Sequence, residues 1–139
     1  MTEINDKICE IEKYLEKLLE IIPDNLEKYE KSFVKKLACE RCAEIIINAV
    51  VDLAFLIIKE REFEKPDSEL QAFDILKKRG VISETLSEKL QDAKRMRNIL
   101  AHEYGEIDNK IVFNSLKEEL TLDVEEFVNF VNNYLNNIK

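Results

Sequence analysis

The stretch FVKKLACERCAEIIINAVVDLAFLII, residues 33–58, decides the fold of this 139-residue chain. Apolar residues cover most of the circumference of the helix it would form: Ile45, Ile46, Ile47, Val50, Val51, Leu53, Phe55, Leu56, Ile57 and Ile58. A helix that is apolar nearly all round has to be covered by neighbours on several sides. The stretch therefore predicts the central helix of a helical bundle.

Polar residues in the same stretch recur at steps of three and four: Arg41, Glu44, Asn48 and Asp52. This spacing places them along one line of the helix, which faces either solvent or a polar cleft. Asn48 and Asp52 are therefore candidate supporting residues of a functional site.

A second amphipathic pattern precedes the central helix and predicts a first helix, which ends at the turn formed by residues 23–25. Its apolar residues alternate at steps of four and three: Ile4, Ile8, Ile11, Leu15, Leu18 and Ile22. Such spacing gives one apolar stripe, which is typical of a helix packed on one face.

Turn and cap residues divide the remainder of the chain into further helices. Pro66, in residues 64–68, is expected to end the central helix because proline lacks the backbone donor. A short helix over about residues 69–79 is expected to stop at Gly80. Ser83 is expected to cap a helix that runs to about Tyr104, with Gly105 as its C-terminal cap. A final helix carries one apolar face: Val124, Phe127, Val128, Val131, Leu135 and Ile138.

Composition agrees with a single helical domain over residues 1–139. Two glycines and two prolines are too few for the many tight turns of a β-rich fold. The predicted fold class is all-α, a four- to five-helix up-and-down bundle. No apolar run is long enough to span a bilayer, and the amino terminus has no signal-peptide pattern. We therefore expect a cytoplasmic protein without membrane contact.

The charge and the cysteines exclude several kinds of site. A formal net charge of −8 argues against binding nucleic acid over a broad surface, but it permits a small basic patch at Lys94, Arg95 and Arg97. Cys39 and Cys42 form a C-x-x-C within a helical pattern and lack a second ligand pair, so we expect buried, unreactive thiols. No metal ion or other cofactor is expected.

The predicted fourth helix carries the chemically distinctive residues. Arg97 falls in the packing stripe of this helix, so we expect it to meet an acidic partner, a cleft or another subunit. His102 is the only histidine of the chain, and it lies roughly 140° from Arg97 around an ideal helix. Either the helix loosens before Gly105, or a second copy completes the site across a two-fold axis. From the residues alone, His102 can equally be a C-terminal partner of the helix dipole.

Residues 97–104 read RNILAHEY and contain the string R-x4-H-x-Y. This string resembles the signature of HEPN-domain ribonucleases, specifically the HepT-like toxins. Residues 38–54, with an early Glu-Arg and a later Asp-Leu-Ala, resemble the second-helix region of that family. Residues 73–82 resemble the turn before its motif helix. The resemblance thus covers most of the chain and predicts an HEPN-like fold.

The resemblance implies a metal-independent RNA endonuclease that acts as the toxin of a toxin–antitoxin pair. It implies a homodimer whose composite site takes its catalytic residues from Arg97 and His102. Asn98 lies one turn before the histidine by helix geometry and is a candidate supporting residue. The implied antitoxin is a small nucleotidyltransferase that transfers AMP from ATP to Tyr104. The bulky adenylate beside the site would block RNA.

Two other classes of function remain open at this point. A non-catalytic nucleotide-binding or adaptor domain, partnering a nucleotidyltransferase, would use the same cleft to hold a ligand. A scaffold without a site would use its helix faces only to dimerise. RNA cleavage that depends on both Arg97 and His102 would distinguish catalysis from either alternative.

Overall fold

The computed structural model of the chain describes residues 2–102 and 108–137, except for the side chain of His102. Its α-helices are α1 (Thr2–Ile21), α2 (Leu26–Lys31), α3 (Phe33–Glu60), α4 (Glu69–Lys78), α5 (Glu84–His102), α6 (Asn109–Asn114) and α7 (Thr121–Asn137). A π-helical segment, Ser115–Leu120, connects α6 to α7. The described residues contain no strand, and the predicted all-α bundle is confirmed. The expected helix end at Tyr104 and Gly105, and the apolar residue Ile138, lie outside the described residues.

Helix α3 is the centre of the bundle, as its sequence predicts. It packs against α1, α2, α4 and α5. Its buried apolar residues point to several sides: Cys39, Ala43, Ile46, Ile47, Ala49, Val50, Val51, Leu53, Ala54, Ile57 and Ile58. The apolar stripe predicted for the first helix is buried from Ile4 to Leu18. It packs against α3, and α1 and α3 form the most extensive helix pair among the described residues. These apolar faces are what hold the bundle together.

Helix α3 ends earlier than the sequence predicts. The proline-containing residues 64–68 were the expected end, whereas the last helical residue is Glu60. The backbone N–H of Phe63 donates to the carbonyl of Ile58 at 3.0 Å, and Glu62 adopts a left-handed φ of 56°. This is the hydrogen-bond pattern of a C-terminal capping motif that normally uses glycine. A glutamate in that position gives no sequence signal.

The turn between α4 and α5 follows the prediction. Gly80 has a φ of +75°, which glycine adopts without strain, and the N–H of Val81 donates to the carbonyl of Leu76 at 2.9 Å. Ser83 then caps α5, since its Oγ accepts from the N–H of Leu86 at 3.1 Å. The start of the motif helix is therefore fixed by local hydrogen bonds.

Two short helices were not predicted. Helix α2 begins at the cap Asn25, whose side chain accepts from the N–H of Lys28 at 2.9 Å. Helix α6 begins at Asp108, which accepts from the N–H of Lys110 at 3.0 Å. Each helix has six residues, too few for an apolar period to be recognised. In residues 2–102 and 108–137, no helix is long and apolar enough to cross a bilayer.

The core contains one carboxyl group without a hydrogen-bond partner for its Oε2 among the described residues. Glu40 on α3 is 8% exposed. Burial raises its pKa, the charge of Lys36 opposes that rise and the charge of Glu44 adds to it. The hydroxyl of Tyr29, close enough to be influenced by the charge of Glu40, is also buried, and no described residue hydrogen-bonds to it. At neutral pH the charged form of Glu40 therefore costs stability.

We expect Glu40→Gln to raise the free energy of unfolding at neutral pH by about 1 kcal/mol, because it removes the buried charge and keeps the shape. A raised carboxyl pKa means that the native state binds the proton more tightly than the unfolded state. The stability that Glu40 contributes is thus complete below its ordinary pKa of 4.5 and is lost as pH rises through the native value. Urea unfolding of both proteins across pH should show a difference that grows with pH. A difference independent of pH would contradict the prediction.

Candidate functional site

Helix α5 presents the predicted stripe to the rest of the bundle. Leu86, Leu90 and Leu100 are buried, and Ala93 packs against the core as a partly buried residue. Arg97 continues the same line, with 18% of its side chain exposed. A guanidinium in that position has lost most of its water, so it requires a partner within the protein.

The partner of Arg97 is Glu69, the first residue of α4. Nη2 of Arg97 donates to Oε2 of Glu69 at 2.7 Å. Of the alternatives that the sequence left for Arg97, the acidic partner is therefore present within the chain. No pattern in the sequence singles out Glu69, because it lies 28 residues from Arg97 along the chain. Its position directly after the helix cap Ser68 was the only available signal.

A second cation shares the same carboxylate. Nζ of Lys94 lies 3.8 Å from Oε2 of Glu69, and the Lys94 side chain is 16% exposed. Lys94 precedes Arg97 by three residues, so both side chains leave the same face of α5. The cluster of Lys94, Arg97 and Glu69 carries a net charge of +1. It is a small, partly buried positive patch on an otherwise acidic chain.

The backbone of α5 determines how far apart the positions of Arg97 and His102 lie around the helix axis. The helix is continuous from Glu84 to His102, so it does not loosen between the two motif residues. Residues five positions apart on a regular helix are separated by roughly 140° around its axis. The side chain of His102 and all of Tyr104 lie outside the described residues.

The three predicted supporting residues lie on two helices, Asn98 on α5 and Asn48 and Asp52 on α3. Asn98 is partly buried on α5, next to Arg97. Asn48 is exposed on α3. Asp52 is also exposed, and its carboxylate lies 3.4 Å from Nζ of Lys7 on α1. The sequence predicts that the polar line of α3 faces either solvent or a polar cleft. At Asn48 and Asp52 it faces solvent.

The cysteines of the C-x-x-C are poorly suited to act as nucleophiles. Cys39 is buried and Cys42 is partly buried on α3. Burial raises the pKa of Cys39 to about 11, and burial also raises the pKa of Cys42. Both thiols stay protonated at neutral pH, and the thiol is a poor nucleophile. Among the described side chains, no three histidine, cysteine or carboxylate groups are arranged to hold a metal ion.

Comparison with known families identifies the family and the fold of the chain. A family model described as ribonuclease HepT-like matches residues 11–132. The chain belongs to this family. The match spans all helices of this HepT-like chain from within α1 to within α7, including the whole of α5.

Two relatives that are named as nucleases align with the HepT-like chain over nearly its full length. The tRNA nuclease HepT of Aphanizomenon flos-aquae (strain 2012/KM1/D3) is 29% identical, with 97% of this chain and 95% of the relative covered. The mRNA nuclease HepT of Shewanella oneidensis is 26% identical, with 92% of this chain and 95% of the relative covered.

The fold of the HepT-like chain is shared with a toxin of known structure. The tri-AMPylated Shewanella oneidensis HEPN toxin, solved in complex with the MNT antitoxin, superposes with a TM-score of 0.87 at 22% identity. The comparison covers 94% of this chain and 96% of the toxin. The predicted family, the ribonuclease class and the HEPN-like fold are thereby confirmed.

Proposed function

We propose that this HepT-like chain is the RNA-cleaving toxin of a toxin–antitoxin pair, and that it cuts RNA without a metal ion. The observation that carries the proposal is the position of Arg97. Its guanidinium is partly buried in the packing stripe of α5, pairs with Glu69 and stands five residues before the only histidine of the chain. The names of the two nuclease relatives support RNA as the substrate.

The motif residues meet the needs of RNA cleavage. The ribose 2′-oxygen forms a bond to phosphorus as the bond from phosphorus to the 5′-oxygen breaks. A base takes the 2′-hydroxyl proton, and an acid gives a proton to the leaving 5′-oxygen. Imidazole groups can fill both proton roles, and a guanidinium binds the phosphate oxygens as charge develops on them. We assign these catalytic roles to His102 and Arg97.

A homodimer with a composite site fits the geometry of α5. Because α5 is continuous from Glu84 to His102, the backbone positions of Arg97 and His102 lie roughly 140° apart around its axis, a separation that a second copy of the helix would bridge. Ile99 is 41% exposed and lies roughly 60° from His102 around the helix. An exposed apolar residue on that side of the motif supports contact with a second copy across a two-fold axis.

We further propose that a nucleotidyltransferase antitoxin silences the toxin by attaching AMP to Tyr104. The tyrosine stands two residues after His102, so the adenylate would occupy the space that RNA needs. Its phosphate would also compete for the positive patch around Arg97. The solved HEPN toxin that shares this fold is AMPylated and bound to an MNT antitoxin, which supports the proposal by analogy.

The test is cleavage of total cellular RNA by the purified dimer in excess EDTA. We expect the unmodified protein to cleave, and the same protein adenylylated on Tyr104 to lose at least about a hundredfold in rate, because its site is filled. Tyr104→Phe, treated with the same nucleotidyltransferase and ATP, is the matched control and should stay active. Absence of cleavage by a folded, unmodified dimer would instead favour the adaptor function.

A further inference from the structure

The contact between Arg97 and Glu69 has the geometry of a positioning interaction. Of the guanidinium nitrogens of Arg97, Nη2 is the one with a hydrogen bond to a described residue. Nε is buried without a partner among those residues. Glu69 is therefore the described group that determines how the guanidinium is turned.

Glu69 is itself held in place by the start of α4. Ser68 caps that helix, with its Oγ accepting from the N–H of Gln71 at 3.1 Å. The side chain of Gln71 reaches back to accept from the N–H of Asp67. Two bonds thus fix the backbone on both sides of Glu69, and the N-terminal end of the helix dipole favours a carboxylate there. Helices α4 and α5 also pack directly against each other.

The cluster of Lys94, Arg97 and Glu69 keeps a net positive charge that can attract a phosphate. Glu69 neutralises one of two cations, because Lys94 lies 3.8 Å from the same Oε2 that Arg97 contacts. Glu69 is the more exposed partner, with 41% of its side chain accessible against 18% for Arg97. Among the described contacts, the carboxylate bonds only one nitrogen of the guanidinium fork. A net charge of +1 remains.

We propose that Glu69 is a positioning residue for RNA cleavage, which holds the guanidinium of Arg97 in the orientation that binds the scissile phosphate. The inference rests on the proposed function, because it takes Arg97 as the catalytic cation. Glu69 acts through Arg97 and need not touch RNA. Loss of the carboxylate lets the long arginine side chain sample other rotamers, and misplacement of a catalytic group by about 1 Å can cost a hundredfold in rate.

The test compares Glu69→Ala and Glu69→Gln with the wild-type dimer in steady-state cleavage of one RNA. Glu69→Ala should lower kcat roughly ten- to a hundredfold per folded dimer, while KM stays level or falls because a negative charge has left the patch. Glu69→Gln retains an oxygen acceptor for Nη2 and should recover most of kcat. Glu64→Ala is the matched control, since it removes another carboxylate–guanidinium pair, with Arg79 at 2.6 Å. It should cleave like the wild type.

Each outcome separates the possible roles of Glu69. A kcat of Glu69→Ala within twofold of the wild type would overturn the inference. So would a faster Glu69→Ala enzyme, because it would make Glu69 a competitor of the phosphate. A merely structural role would lower the melting temperature of both variants and leave kcat per folded dimer unchanged. Arg97→Ala is measured in the same assay. If Arg97→Ala cleaves normally, the proposed function is wrong. If Arg97→Ala is inactive while Glu69→Ala is unaffected, only the inference about Glu69 is wrong.

Discussion

Arg97→Ala is expected to lower kcat for RNA cleavage by about a thousandfold, the scale of losing a preorganised cation at a reacting phosphate. The phosphorane-like transition state carries more negative charge on its oxygens than the ground state does. A guanidinium already oriented by Glu69 and largely stripped of water stabilises that charge without reorganisation. Single-turnover cleavage with excess enzyme measures the chemical step directly. Arg97→Lys keeps the charge but loses the planar fork, so it should recover little.

The matched control for this prediction is Arg95→Ala. Arg95 lies on the same helix, is exposed, and pairs with Asp92 at 2.8 Å on the solvent side. The Arg95→Ala substitution removes the same chemical group and the same net charge from α5 as Arg97→Ala does. We expect it to change the cleavage rate by no more than about twofold, since exposed ion pairs contribute little. An Arg95→Ala enzyme as slow as Arg97→Ala would point to loss of general electrostatic attraction for RNA.

Mixed dimers test whether the site is shared between subunits. A dimer formed from one wild-type chain and one His102→Ala chain keeps both arginines but only one histidine. If the composite site takes its acid from one subunit and its base from the other, this mixed dimer should be nearly as inactive as the His102→Ala homodimer. Cleavage at about half the wild-type rate, with mixed dimers demonstrated by two affinity tags, would contradict a site that draws one histidine from each subunit.

The second large effect concerns the core, where Phe127→Ala is expected to reduce the free energy of unfolding by about 3–5 kcal/mol. Phe127 on α7 is fully buried and meets the ring of Phe73 on α4 edge-on, with centroids 6.3 Å apart and planes at 79°. Truncation leaves a cavity and removes the aromatic contact between two helices that are distant in sequence. Phe73 is itself 1% exposed, so the tightly packed side chains around it cannot readily move into the cavity that Phe127→Ala leaves.

Urea unfolding followed by circular dichroism measures this loss. Phe33→Ala is the control, because Phe33 begins α3 with 70% of its surface exposed and its truncation should change stability by no more than about 0.5 kcal/mol. A Phe127→Ala protein within 1 kcal/mol of the wild type would show that α7 is not an integral part of the cooperative unit.

Local sequence accounts for much of the bundle. The nearly uniform apolar surface of residues 45–58 predicts the buried centre of α3, and the one-sided stripe of α1 predicts a helix packed on one face. Gly80 and Ser83 mark the turn before α5, since their conformations and hydrogen bonds involve only neighbouring residues. The end of α3 was missed because a left-handed Glu62 closes it, where residue preference would indicate glycine.

The sequence by itself determined the all-α class, the central helix and the motif with its distinctive arginine and histidine, because apolar periods and motif spacing are properties of neighbouring residues. Only the tertiary structure decided what Arg97 pairs with. Glu69 is 28 residues away and carries no periodic signal, and it reaches the guanidinium because α4 packs against α5. The exposure of Asn48 and Asp52 was likewise settled by packing, since a polar line on a helix faces solvent or a cleft according to which neighbours cover it. Contacts between distant segments depend on how buried faces fit together, and that fit is a property of the whole bundle.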